Sequence, residues 1–134
     1  MSGEALARRA VACPGWRWMP GMRNANGWTC VALDAAVQPV RWFDFRTITA
    51  SPVDLPDLDD PATLGCLLAL VREAWPGARI TIDVDPWAAS EVVHIRICPA
   101  PGEPCRSFFG RGQHARAEAL VAALEAAPRR EVSL

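Results

Sequence analysis

The sequence predicts an α+β domain in which a mostly antiparallel sheet of about five strands carries helices packed on one face. Segments with apolar residues at helical spacing are separated by segments in which apolar and polar residues alternate, in the order α-β-β-α-β-β-β-α. The predicted strands also follow one another closely, with turn sequences between them, which favours hairpins and therefore antiparallel neighbours.

The chain of 134 residues is predicted to form a single domain, 1–134, with residues 129–134 as a frayed C-terminal tail. Hydrophobic residues make up 51% and charged residues 22%, which is enough apolar side chain for a core and excludes a disordered chain. All 14 basic residues are arginine and the formal net charge is −1, so the chain lacks the strong positive field of a dedicated DNA-coating protein.

The first half of the chain predicts a helix over 4–12, a strand over 28–34 and a second strand over 39–48. A stronger helix is predicted over 61–75, where leucines recur at helical spacing. Asp60 is predicted to be its N-cap, with Pro61 in the first turn, and Pro76 with Gly77 is predicted to end it. Gly65 inside this helix is expected to allow the close approach of another segment.

The second half predicts three strands and a final helix. "ARITIDVD" at 78–85 and "EVVHIRIC" at 91–98 alternate cleanly, and "CRSFFG" at 105–110 provides a short third strand. "HARAEALVAALEAAP" at 114–128 is predicted to be an amphipathic helix.

The segment "ACPGWRWMPGMR", residues 12–23, has three candidate uses: a stacking surface for nucleic acid, a docking loop for a protein, or a lid on the core. Tryptophans in a Pro-Gly-rich segment without periodicity favour the lid, with Trp16 and Trp18 packed near the notch at Gly65. Arg17 and Arg23 are then expected to extend outward along their apolar stems.

Five cysteines are present, and no two of them form the close CxxC pair that is typical of structural zinc sites. We therefore predict five free thiols, no structural metal and no cofactor. The cysteines are Cys13, Cys30, Cys66, Cys98 and Cys105.

Three stretches, "ACPGWRWMPGMR", "LPDLDDPATLGCLLALVREAWPG" and "AEALVAALEAAP", resemble a widespread set of small phage and prophage proteins. The resemblance covers roughly a third of the chain and implies a viral or mobile-element origin. It implies no reaction. Small phage accessory proteins include inhibitors of host defence such as anti-CRISPR proteins, which makes an anti-defence role an analogy of context rather than of motif.

The sequence favours a protein that is not an enzyme. The only histidines are His94 and His114, neither of which lies in a recognisable catalytic motif, and no Walker loop, GxGxxG, GxSxG or HExxH occurs. The acidic stretch 54–60 lacks the glycine and distal glutamate of a calcium-binding EF-hand loop and is predicted to be a loop with a helix cap.

The leading functional hypothesis is non-catalytic binding of a host or phage protein. Candidate contact residues are the outward-facing His94, Arg96, Asp83 and Asp85 on the predicted strands, or else Arg17 and Arg23 on the lid. The alternative is a nucleic-acid-binding factor that uses residues 1–23, where four arginines face one acid. No signal sequence or membrane span is predicted, which favours the cytoplasm, and the oligomeric state is left open.

Overall fold

The computed structural model describes residues 2–33, 39–43, 48–49, 55–85 and 90–128, and within them it confirms the α+β class. The helices are α1 Gly3–Ala12, α2 Pro61–Ala74 and α3 Ala115–Glu125. The strands are β1 Thr29–Leu33, β2 Pro39–Phe43, β3 Ile48–Thr49, β4 Arg79–Val84, β5 Val92–Cys98 and β6 Arg106–Arg111. The predicted tail at 129–134 lies outside the described residues.

The described strands form two antiparallel three-stranded sheets, β1-β2-β3 and β4-β5-β6, so the predicted sheet of about five strands is not confirmed. The number of strands differs because of the stretch 39–48, which was expected to be a single strand. It contributes to two strands, because β3 pairs back on β2 with Trp42 opposite Thr49. The element order therefore has one more strand before α2 than the sequence indicated.

The second sheet is covered on one face by α3, which packs against β5 and β6 and also contacts α1 and α2. The closest approach is at Gly110 of β6, where a Cβ atom would lie only 1.8 Å from the carbonyl oxygen of Ala115. Glycine is therefore required where this strand meets the start of α3.

Helix α2 is fixed by a local cap that its sequence predicts and by one long-range hydrogen bond to α3. The Asp60 carboxylate accepts a hydrogen bond from the Thr63 backbone N–H at 2.9 Å, which confirms the predicted N-cap of α2. At the other end of α2, the indole Nε1 of Trp75 donates to the Ala123 carbonyl of α3 at 2.9 Å.

The tryptophan segment belongs to the core, as the lid interpretation predicted. Trp18 is 6% exposed and meets Trp42 of β2 edge-on, with ring centroids 5.1 Å apart, while Trp16 is half-buried against Trp18. The expectation about Gly65 was wrong, because among the described residues no atom beyond its own helix backbone and chain neighbours lies within 4 Å of where its Cβ would be. The close approach is instead at Gly15, whose Cβ would lie 3.0 Å from the Leu124 side chain.

The prediction of five free thiols was also wrong. Cys98 and Cys105 form a disulfide, whereas Cys13, Cys30 and Cys66 are not disulfide-bonded. The β5–β6 register pairs Ile97 with Arg106 and so places Cys98 directly opposite Cys105, with Cα atoms 4.2 Å apart. Such short separations occur at positions of an antiparallel pair that are not hydrogen-bonded to each other.

Within the described part of the chain, no group of three or more His, Cys, Asp or Glu side chains is placed to hold a metal ion. No helix in that part is long and apolar enough to cross a bilayer.

Candidate functional site

The candidate site is the face of the β4-β5-β6 sheet that points away from α3, which we call the outer face. Side chains alternate along a strand, so the burial of Val93, Ile95 and Ile97 beneath α3 places His94 and Arg96 on the opposite side. Among the described residues, no helix packs on this outer face.

The strand register aligns the outer-face side chains in two rows. Asp83 of β4 lies opposite His94 of β5, which in turn lies opposite Phe109 of β6. In the next row Arg96 stands between its two neighbours, Thr81 and Ser107. Three of the four predicted strand residues, Asp83, His94 and Arg96, therefore lie together, and Asp85 follows just beyond the end of β4.

An aromatic pair forms the centre of this face. The His94 and Phe109 rings stack in parallel, with centroids 4.4 Å apart and planes within 6° of each other. Phe109 is nevertheless 53% exposed, because the stack covers only one side of its ring. His94 is half-buried, and its Nε2 atom is covered without a hydrogen-bond partner among the described residues.

Phe109 was not among the contact residues that the sequence predicted. The stretch "SFFG" contains two successive phenylalanines, and the alternation of a strand requires one of them to face outward. The structure places Phe108 inward, 6.4 Å from Trp75 between ring centroids, and Phe109 outward. The double phenylalanine was the available signal for an exposed aromatic residue.

Two charged side chains of the outer face, Arg96 and Asp83, are available for contact. Arg96 and Asp83 are exposed, and neither forms an ion pair within the described residues. Their opposite signs on neighbouring strands give the face a mixed rather than a uniformly basic character. Such a surface suits a partner that presents both charges and apolar groups, as proteins do.

The arginines of the lid differ from each other in their contacts. Arg17 forms an ion pair with Glu73 of α2 through two hydrogen bonds, one of them 2.8 Å long, and this bonding raises the pKa of its guanidinium. Arg23 is exposed and lies alongside Gly27. The Arg17 side chain therefore ties the lid to α2, and a ligand would have to compete with Glu73 for it.

No described group has the arrangement of an activated nucleophile. The His114 Nδ1 atom lies 2.7 Å from an Asp59 carboxylate oxygen, and this bond ties the start of α3 to the loop before α2. The Cys13 thiol donates to the Arg9 carbonyl, and burial raises the pKa of this thiol to about 11. A thiol with this pKa is almost entirely protonated near neutral pH, which makes it a poor nucleophile.

Comparisons of the chain with protein-family models, with curated proteins and with solved structures give no match. The resemblance to phage proteins, carried by three stretches of sequence, stays a prediction.

Proposed function

We propose that the protein acts by non-catalytic binding of a protein partner on the outer face of the β4-β5-β6 sheet. The observation that carries this proposal is the His94–Phe109 stack with its exposed phenylalanine, beside the exposed Arg96 and Asp83, which form no ion pair with any described residue. Exposed aromatic and arginine side chains contribute a disproportionate share of the binding energy in protein interfaces.

The backbone geometry supports recognition at this face. His94 and Arg96 lie on β5, the central strand, which is paired on both sides over the length of the sheet. Stacking on His94 restricts the Phe109 ring before any partner arrives. A partner would therefore meet side chains that have already lost part of their conformational freedom, which reduces the entropic cost of binding.

The biological setting is part of the same proposal. The phage-like stretches favour an accessory protein of a phage or prophage that works in the host cytoplasm, and inhibition of a host-defence component is one role that such binding could serve. This setting rests on the resemblance, whereas the binding face rests on the contacts described above.

The nucleic-acid alternative receives less support from the contacts of residues 12–23. Base stacking needs exposed aromatic faces, and Trp18 is buried between Trp16 and Trp42. Phosphate binding needs available cations, and Arg17 is paired with Glu73. Arg23 is the exposed cation of this segment.

Capture of partners from host lysate, with and without nuclease, tests the proposal. We expect the parent protein to retain a protein partner after nuclease treatment, and the double charge reversal Arg96→Glu with Asp83→Arg to abolish capture without lowering the melting temperature. The matched control reverses Arg17 and Arg23 and should leave capture intact, although loss of the Arg17–Glu73 pair should lower stability slightly. Capture that fails only in the lid variant would move the site to the lid. Tight, salt-sensitive retention of DNA or RNA by the parent would favour the alternative function.

A further inference from the structure

Strand β4 is an edge of its sheet, and one side of its backbone is without a strand partner among the described residues. The Asp85 backbone N–H donates to the Val92 carbonyl, so the odd-numbered residues of this strand direct their N–H and C=O groups toward β5. The even-numbered residues Ile80, Ile82 and Val84 therefore present their backbone groups at the free edge.

The side chains at this edge are apolar and incompletely covered. Ile82 is 41% exposed and Val84 is 44% exposed, although both lie on the same face of the sheet as the buried Val93 and Ile95. They line an open groove of about 500 Å³ whose other wall includes Leu64 and Leu68 of α2. In this way α3 protects β5 and β6, whereas the apolar face of β4 is left partly open to solvent.

The strand has few of the features that normally prevent edge-to-edge association. It contains no proline and no bulge, since its pairing with β5 runs without interruption from Arg79 to Val84. Its inward-facing positions are Ile80, Ile82 and Val84, with no inward-pointing charge. An edge strand of this length without a bulge, and with an apolar inward face, is a template for another strand.

The charge order along the strand identifies the strand that fits. Arg79 is the first residue of β4. Asp83 lies near its end and Asp85 follows just beyond it, and all three lie on the outer face. A second β4 in antiparallel orientation would bring its acidic end to the basic start of the first, whereas a parallel copy would place like charges side by side.

We propose that two copies of this chain form a dimer by antiparallel pairing of β4 with β4, centred on Ile82. In this register Ile82 pairs with Ile82 of the second copy, and Ile80 pairs with Val84, so that all three pairs of displayed backbone groups are satisfied. Arg79 then lies opposite the second copy's Asp85 and diagonal to its Asp83.

The pairing would convert two three-stranded sheets into one sheet of six strands and bring the two grooves to a common seam. The exposed Ile82 and Val84 side chains would be covered there by the same residues of the other copy. The pairing uses the edge of β4 and leaves the His94–Phe109 stack accessible, so it shares only Asp83 with the proposed binding face.

Sedimentation equilibrium over a concentration series tests the proposal on the full chain. We expect the parent to approach twice the chain mass of 14.6 kDa at high concentration. Ile82→Pro removes an N–H that points to the free edge and not to β5, so this variant should keep its circular dichroism spectrum and become monomeric. A monomeric parent throughout the series would overturn the proposal, even if the strand then accepted an extended peptide from another protein.

A charge swap supplies the matched control. Arg79→Asp alone and Asp85→Arg alone each place like charges across the seam and should weaken dimerisation about tenfold or more. The combined swap restores opposite charges and should recover most of the parental affinity. A dimer that persists in both single variants, or a swap that fails to recover affinity while both singles weaken it, would show that the two strands do not pair in this way.

Discussion

Trp18 of the N-terminal segment meets Trp42 of β2 edge-on, with ring centroids 5.1 Å apart and planes at 82°. Trp42 is fully buried, and Trp18 is nearly so. The contact therefore joins a segment rich in proline and glycine to the first sheet, and it makes residues 12–23 part of the core rather than a free arm.

Truncation of these tryptophans should show that the buried Trp18 contributes more to stability than the half-buried Trp16 does. Trp18→Ala removes a buried aromatic ring and should lower the free energy of unfolding by about 3–5 kcal/mol. Trp16→Ala should also be destabilising, but by less, because this ring is only half-buried. Urea denaturation followed by circular dichroism measures both. Unfolding midpoints equal to that of the parent would show that the segment does not pack on the core.

Two glycines provide a second test, with opposite expected signs. Gly110→Ala places a methyl group against the Ala115 carbonyl oxygen and forces the strand and helix apart, which should cost about 1–3 kcal/mol or more. Gly65→Ala adds a methyl group in open space on α2 and should raise stability by up to about 1 kcal/mol. Thermal or urea unfolding of the two variants measures both changes in stability. The packing of α3 on β6 would be contradicted if Gly110→Ala were harmless.

The disulfide makes a prediction about thiol number. Protein purified without reductant and unfolded should show three free thiols, and reduction should raise the number to five. Replacing both Cys98 and Cys105 by serine should lower the free energy of unfolding by about 2 kcal/mol, because the bridge closes only a short loop. Five thiols before reduction would show that the bridge does not form. The reducing cytoplasm would oppose this bridge, so thiol counting in cells also tests the predicted location.

The Cys13 thiol predicts a pH dependence in a range where few other groups titrate. Burial raises its pKa from an ordinary value of 9.0 to about 11, so the folded state holds this proton more tightly than the unfolded state. The stabilisation is complete below pH 9 and is lost as the pH rises toward 11. The chain has no tyrosine and no lysine to obscure the effect.

The measurement is the free energy of unfolding at intervals between pH 8 and pH 11, on reduced protein. Cys13→Ala should flatten the decline relative to the parent. Cys66 retains its own titration in both proteins, since burial raises the pKa of this thiol as well. Parallel curves for parent and variant would show that the Cys13 thiol is not protected by the fold.

Local patterns predicted the elements around the site to within a few residues. The alternation in 78–85 and 91–98 identified β4 and β5, and Asp60 with Pro61 identified the start of α2. These features depend on residues close together in the sequence, where side-chain periodicity and capping act directly.

The features that the sequence did not predict depend on contacts between distant residues or on strand register. Which strands share a sheet is decided by packing, so a division into two sheets was not evident from alternation alone. The Cys98–Cys105 bridge and the outward position of Phe109 both follow from the β5–β6 register. The need for glycine at 110 follows from the path of α3, which local sequence does not reveal.

The most direct test of the proposed binding face is photo-cross-linking from position 109. A photoreactive phenylalanine analogue replaces Phe109, and a control protein carries it at Val11, which is 37% exposed on α1. After irradiation in nuclease-treated host lysate, we expect protein adducts from position 109 that differ in mass from a dimer of the chain, and none of these from position 11. The proposed binding face would be contradicted if adducts formed from position 11 and none formed from position 109. It would also be contradicted if position 109 gave adducts only in untreated lysate and nuclease digested them.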